Sequence, residues 1–115
     1  MSVLSGQEIQ FTVGSTFSQA FTCSLADLIG TGYPPTDIET FATEGATAAI
    51  TYGRRGDPVF RTECDATVAV SGNIVTLGVS TAEIASMTIT PGYFTIDVSN
   101  GVERWRVVSG TWHRV

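Results

Sequence analysis

Residues 92–115 read GYFTIDVSNGVERWRVVSGTWHRV, and their alternation of apolar and polar residues is the clearest structural signal in the chain. Asn100-Gly101 lies between two alternating runs, an arrangement that predicts a β-hairpin closed by a type I′ turn. In the register of that turn, Asp97 opposes Arg104 as a cross-strand charge pair. The apolar face of the hairpin is then assigned to the core, and it consists of Phe94, Ile96, Val98, Trp105 and Val107.

Other parts of the chain also have strand-like composition and alternation. Five further strands are predicted at 8–14, 16–25, 39–53, 59–70 and 73–79. Their expected core residues are Ile9, Phe11, Val13, Phe17 and Phe21. A bulge is predicted at Gly45 and a short hairpin connection at Ser71-Gly72. Loops are expected at 26–37 and 53–58, where Gly and Pro interrupt the pattern.

One helical turn interrupts the strands. Ser80 followed by Glu83 has the form of a capping box, which predicts a short helix near 81–87 with Ile84 and Met87 on one face. About seven to eight short strands with one such turn indicate an all-β antiparallel β-sandwich, with a small barrel as the alternative. At 115 residues the chain is predicted to be a single domain spanning 1–115.

Composition excludes several classes of function. The chain carries a net charge of −5, and its six basic residues are dispersed arginines, so no basic face for nucleic acid is expected. No apolar run approaches the roughly 18 residues that span a membrane. The first ten residues do not resemble a secretory signal, which predicts synthesis and first use in a cytoplasm.

Few residues suggest reaction chemistry. His113 is the single histidine and is expected to be a surface or strand-end residue. Asp65 and Asp97 are the weak candidates for paired carboxylates. Cys23 and Cys64 are expected to be buried reduced thiols, with a strand-to-strand disulfide as the alternative and a metal site disfavoured. We therefore expect no enzyme, no cofactor and no metal.

Two groups of residues are candidates for contact surfaces. Aromatic residues that could line a sugar-binding face are Tyr33, Tyr52, Tyr93, Trp105 and Trp112. Aromatic residues that alternate in strands lie more often in the core, and the core is the favoured interpretation for this set. The tripeptide Arg55-Gly56-Asp57 matches an integrin-binding motif, but glycine followed by Asp-Pro is also what a tight turn requires. The turn is the favoured interpretation. The candidate interface residues are Arg54, Arg55, Trp112 and Tyr33.

An ordered set of short motifs resembles a known family. The motif residues are Asp27, Leu28 and Gly30, then Thr81, Ala82 and Glu83, then Pro91, Gly92, Tyr93 and Asp97, and finally Gly110 and Thr111. In this order they resemble small Ig-like β-sandwich modules of tailed-bacteriophage virions, such as the amino-terminal domains of baseplate upper proteins and short stand-alone virion proteins. Residues 34–65 depart most from that pattern.

The resemblance implies an Ig-like sandwich and a non-enzymatic structural role in a virion. The expected function is to dock on and cement a larger assembly, as a head decoration or as a tail or baseplate component. Expected partners are other virion proteins and further copies of the chain, with no nucleic acid and no membrane. The alternative function is a carbohydrate- or receptor-binding module that uses exposed aromatic residues.

Overall fold

The structure is a computed structural model that describes residues 4–23, 38–52, 61–62, 66–86 and 92–115. The strands are β1 (Leu4–Phe11), β2 (Phe17–Thr22), β3 (Ala46–Tyr52), β4 (Arg61–Thr62), β5 (Ala66–Ser71), β6 (Ile74–Val79), β7 (Gly92–Ser99) and β8 (Arg104–Arg114). The helices are α1 (Ile38–Phe41) and α2 (Thr81–Ser86). Among the described residues, no helix is long and apolar enough to cross a membrane.

The strands form two sheets that face each other across the core. The larger sheet has the order β1-β8-β7-β3, extended at one edge by the two-residue β4, and the smaller sheet has the order β2-β6-β5. This confirms the predicted all-β sandwich.

One pair of strands departs from the predicted antiparallel arrangement. β1 runs parallel to β8, with Ile9 beside Trp112 and Phe11 beside Arg114. The first and last strands lie about a hundred residues apart in sequence, so no local pattern identifies them as partners. Every other described pair is antiparallel.

The core between the sheets is apolar. Its largest fully buried side chains are Trp112, Phe11, Phe94, Ile38, Ile50, Leu77, Ile84 and Ile96. Of the residues that the structure describes, no polar or charged one is buried. The predicted core positions Ile9 and Phe21 are confirmed, but Val13 is 52% exposed because β1 ends at Phe11.

The β7–β8 hairpin is present, but its connection is longer than predicted. Ser99 pairs with Arg104, which leaves four residues in the loop. The Asn100 side chain closes that loop, since its Oδ1 accepts hydrogen bonds from the N–H groups of Val102 at 2.9 Å and Glu103 at 2.6 Å. The asparagine therefore acts through its side chain, as in an Asx turn, and the predicted two-residue type I′ turn is wrong.

The longer loop shifts the register without exchanging the faces. The shift is two residues, and side chains alternate with a period of two, so the predicted core face is retained. Trp105 is only half-buried, whereas the other members of that face are buried. A bulge between Ile96 and Asp97 then brings both Val107 and Val108 into the core.

Of the two helices, α1 was not predicted and α2 was. The segment predicted as one strand from residue 39 begins instead with α1, and Gly45 lies in the turn before β3 and not in a bulge. The α2 prediction is confirmed, because the N–H of Glu83 donates to Ser80 Oγ at 3.2 Å and Ile84 is buried. Met87 lies outside the described residues.

Candidate functional site

The outer face of the larger sheet carries a small charge cluster. Asp97 on β7 accepts a hydrogen bond from Arg106 Nε at 3.2 Å, and Arg104 Nε lies 3.7 Å from its other carboxylate oxygen. Arg104 also donates to the hydroxyl of Thr47 on β3 at 2.8 Å. Both guanidinium groups are more than half exposed, so each ion pair contributes about 0–1 kcal/mol to stability. This cluster accounts for Asp97 as a structural carboxylate.

A shallow hollow lies beside this cluster on the same face. Its volume is about 540 Å³. Side chains of β3, β7 and β8 line it, chiefly Thr51, Tyr93, Thr95, Ser109 and Thr111, with Arg106 at one side. Tyr93 is 38% exposed, and the lining hydroxyl groups can each donate and accept a hydrogen bond. The hollow therefore offers an aromatic ring and neutral polar groups to a ligand.

The outer face of the smaller sheet has a different character, because the described side chains that form it carry no charge. Outward-facing side chains form three rows across β2, β6 and β5. The rows are Ser18–Gly78–Thr67, Ala20–Thr76–Ala69 and Thr22–Ile74–Ser71. Apart from Ile74, every member is Ser, Thr, Ala or Gly, and the positions on the two outer strands are exposed. We call these nine residues the uncharged face.

The strands around this face are uncharged as well. β2, β5 and β6 contain no Asp, Glu, Lys or Arg on either side of the sheet. β2 and β5 are the two edges of that sheet in its strand order. Charge on an edge strand disfavours pairing with another chain, and neither of these two edge strands carries any.

Of the four predicted interface residues, the structure describes only Trp112. Trp112 is 1% exposed, its ring lies 5.5 Å from that of Phe11, and its Nε1 donates to the carbonyl of Thr51 at 2.9 Å. Its prediction as a contact residue is wrong for this fold, because the bulge in β8 turns position 112 toward the core. Tyr33, Arg54 and Arg55 lie outside the described residues, as does the tripeptide that follows Arg54.

The other candidate aromatic residues differ in their exposure to solvent. Trp105 is half-buried and stacks on Phe41 with ring centroids 3.8 Å apart and planes 9° apart. Among the side chains of this set that the structure describes, only that of Tyr93 is exposed. Tyr33 and the side chain of Tyr52 are outside that description.

Two motif glycines have packing roles. A Cβ atom on Gly92 would overlap the indole of Trp112 and the carbonyl of Thr51, so glycine is needed beneath the ring. A Cβ atom on Gly110 would overlap the backbone of Gln7 on β1. These positions of the Pro-Gly-Tyr and Gly-Thr motifs therefore serve the fold and are not themselves a site.

Two of the remaining reactive groups, Cys23 and His113, are described by the structure. Cys23 is a free, buried thiol, as expected, and burial raises its pKa. Cys64 and Asp65 lie outside the described residues. His113 is exposed on β8, as expected, with its Nε2 3.0 Å from Gln10 Oε1. In the part of the chain that the structure describes, no group of three or more His, Cys, Asp or Glu residues is placed to hold a metal ion.

Comparison with known proteins adds no relative. No family model matches the chain, and no curated protein matches it. The family resemblance therefore depends on the motifs alone and stays a prediction.

The uncharged face was missed by motif reading, although the sequence carries a signal for it. No charged residue occurs between Glu8 and Asp27 or between Asp65 and Glu83. These two uncharged stretches supply all three strands of the smaller sheet. When β2 pairs with β6 and β6 with β5, these two separate stretches form one continuous surface.

Proposed function

We propose that this chain is a non-enzymatic structural module of a tailed-phage virion that docks on and cements a larger assembly. It would serve as a head decoration or as a tail or baseplate component. The uncharged face is the observation that carries the docking role. The ordered motifs described above support the choice of a virion as the assembly.

The physical basis of docking is the low desolvation cost of this face. The centres of protein interfaces are depleted in charged residues, because removing a charge from water is unfavourable unless the charge is paired. A partner that covers Ala20, Thr76 and Ala69 displaces water from methyl groups and hydroxyls only. The hydroxyls of the face retain hydrogen-bonding capacity toward whatever replaces that water.

Detection of the chain in purified particles tests the proposal. Mass spectrometry of gradient-purified virions should detect the chain at a constant ratio to the major capsid or tail protein. Particles made without it should bind the added protein. Absence of the chain from particles would overturn the proposal.

The hollow beside Tyr93 supports a second candidate function, carbohydrate binding. A tyrosine ring next to the hydroxyls of Thr95, Ser109 and Thr111 combines an apolar surface with neutral hydrogen-bonding groups, which suits a sugar. Glycan titration followed by amide NMR should move the resonances of these residues if the candidate is correct. Unchanged spectra across a broad glycan panel would eliminate it.

A further inference from the structure

We propose that the occupant of the uncharged face is the same face of a second copy of this chain. The two sheets would stack face to face about a two-fold axis. This inference rests on the proposed docking role and deepens it by naming the partner and the surface.

Charge is the first argument. Each chain carries a net charge of −5, so two copies repel each other least when they meet where no charged side chain lies between them. The larger sheet carries the cluster of Asp97, Arg104 and Arg106 on its outer face, whereas the smaller sheet has no charged residue. Copies that meet at the uncharged face therefore desolvate no charged side chain of its three strands.

Complementarity is the second argument. A basic or acidic partner would gain nothing from this face, because it offers no opposite charge to pair with. The matching surface is one that is equally neutral and flat, and an identical face satisfies both conditions. A two-fold contact is self-complementary by symmetry, with each residue position serving both copies.

The side chains of the face are short enough for close approach. Its middle row is Ala20–Thr76–Ala69, and the row beside it has Gly78 in the central strand. The hydroxyl of Thr67 lies 3.4 Å from the carbonyl of Gly78, so part of its polarity is already satisfied within the sheet. Methyl groups and remaining hydroxyls can then pack across the two-fold axis.

The size of the face determines the strength of the contact. Three strands about 4.8 Å apart and six residues long, at about 3.4 Å per residue, cover roughly 300 Å². A standard stable interface buries about 800 Å² per partner. Association is therefore weak in dilute solution and becomes effective when neighbouring copies are held close together on one assembly.

Sedimentation equilibrium of the purified chain tests the inference without any virion. Between about 10 µM and about 1 mM, the weight-average mass should rise from that of the 12.2 kDa chain toward twice that value. Added salt should strengthen the association, since it screens the repulsion between two negative chains. A mass that stays at 12.2 kDa at the highest concentration would overturn the inference.

Paired variants locate the contact. Thr67→Arg places a guanidinium on the uncharged face, and Thr111→Arg places one at an exposed strand position of the larger sheet. Both variants have the same net charge, so a difference between them reports the surface and not overall repulsion. Thr67→Arg should remain monomeric and Thr111→Arg should associate as the parent does, with circular dichroism confirming that both fold.

Amide NMR of the unmodified chain is an independent readout. Dilution should shift the resonances of β2, β5 and β6, including Ala69, and leave those around Thr111 unchanged. Equal association of the two variants, or shifts confined to the larger sheet, would overturn the inference. Detection of the chain in particles would not be affected by that result, so this inference and the proposed function can fail separately.

Discussion

Replacement of Gly110 by alanine tests the contact that holds the first strand on the last. Gly110 pairs with Gln7 in the parallel β1–β8 ladder, and a Cβ atom at Gly110 would overlap the backbone of Gln7. Backbone atoms cannot rotate away as the end of a side chain can. The substitution therefore forces β1 either to shift or to separate from β8.

The structure bounds the cost of this substitution. If β1 shifts locally, the loss is that of overpacking, about 1–3 kcal/mol. If β1 separates, Ile9 and Phe11 lose their burial, and each contributes about 1.5–3 kcal/mol. We expect Gly110→Ala to lower the free energy of unfolding by about 2–5 kcal/mol, between these limits.

Urea unfolding followed by far-ultraviolet circular dichroism measures this loss. Gly45→Ala is the matched control, because Gly45 has a φ of +82° and no atom within 4 Å of a Cβ placed there. That variant suffers only the strain of a left-handed backbone, about 1 kcal/mol. Equal losses in the two variants would refute the close contact between β1 and β8.

Four further outcomes are expected. Trp112→Phe removes the hydrogen bond to the Thr51 carbonyl and part of the buried ring, so urea titration should show a loss of about 1–3 kcal/mol. Asn100→Ala removes the acceptor of two loop N–H groups, and thermal unfolding should show a loss of about 1–2 kcal/mol. In a Cys64→Ser background, the Cys23 thiol should react with a thiol reagent far more slowly in the native state than in urea. Since the unfolded thiol ionises first, the free energy of unfolding in that background should fall as pH rises above the ordinary thiol pKa, and a flat profile would contradict the raised pKa.

Local signals identified part of the fold because they act over a few residues. The capping box at Ser80 and Glu83 predicted α2, since a helix start depends on groups three residues apart. Alternation predicted the core faces of β1, β2 and β7. It failed at α1, where Ile38 and Phe41 face the core from one helical turn too short to show its own period.

The candidate surfaces were less predictable than the fold. Trp112 was interpreted as a contact residue because strand alternation alone does not reveal the bulge that turns it inward. Sequence motifs did not predict the uncharged face, because its strands come from two stretches of sequence separated by α1 and β3. The uncharged face is recognised by its lack of charged residues, so it can be identified only once the pairing of its three strands is known.

The sequence by itself determined the all-β class, the capped helix and the existence of the last hairpin. Each of these depends on side-chain alternation or on hydrogen bonds between near neighbours. Only the tertiary structure decided the hairpin register, the parallel pairing of β1 with β8 and the burial of Trp112. Those features depend on contacts between residues far apart in the chain, such as the approach of the Gln7 backbone to Gly110, which no local pattern encodes.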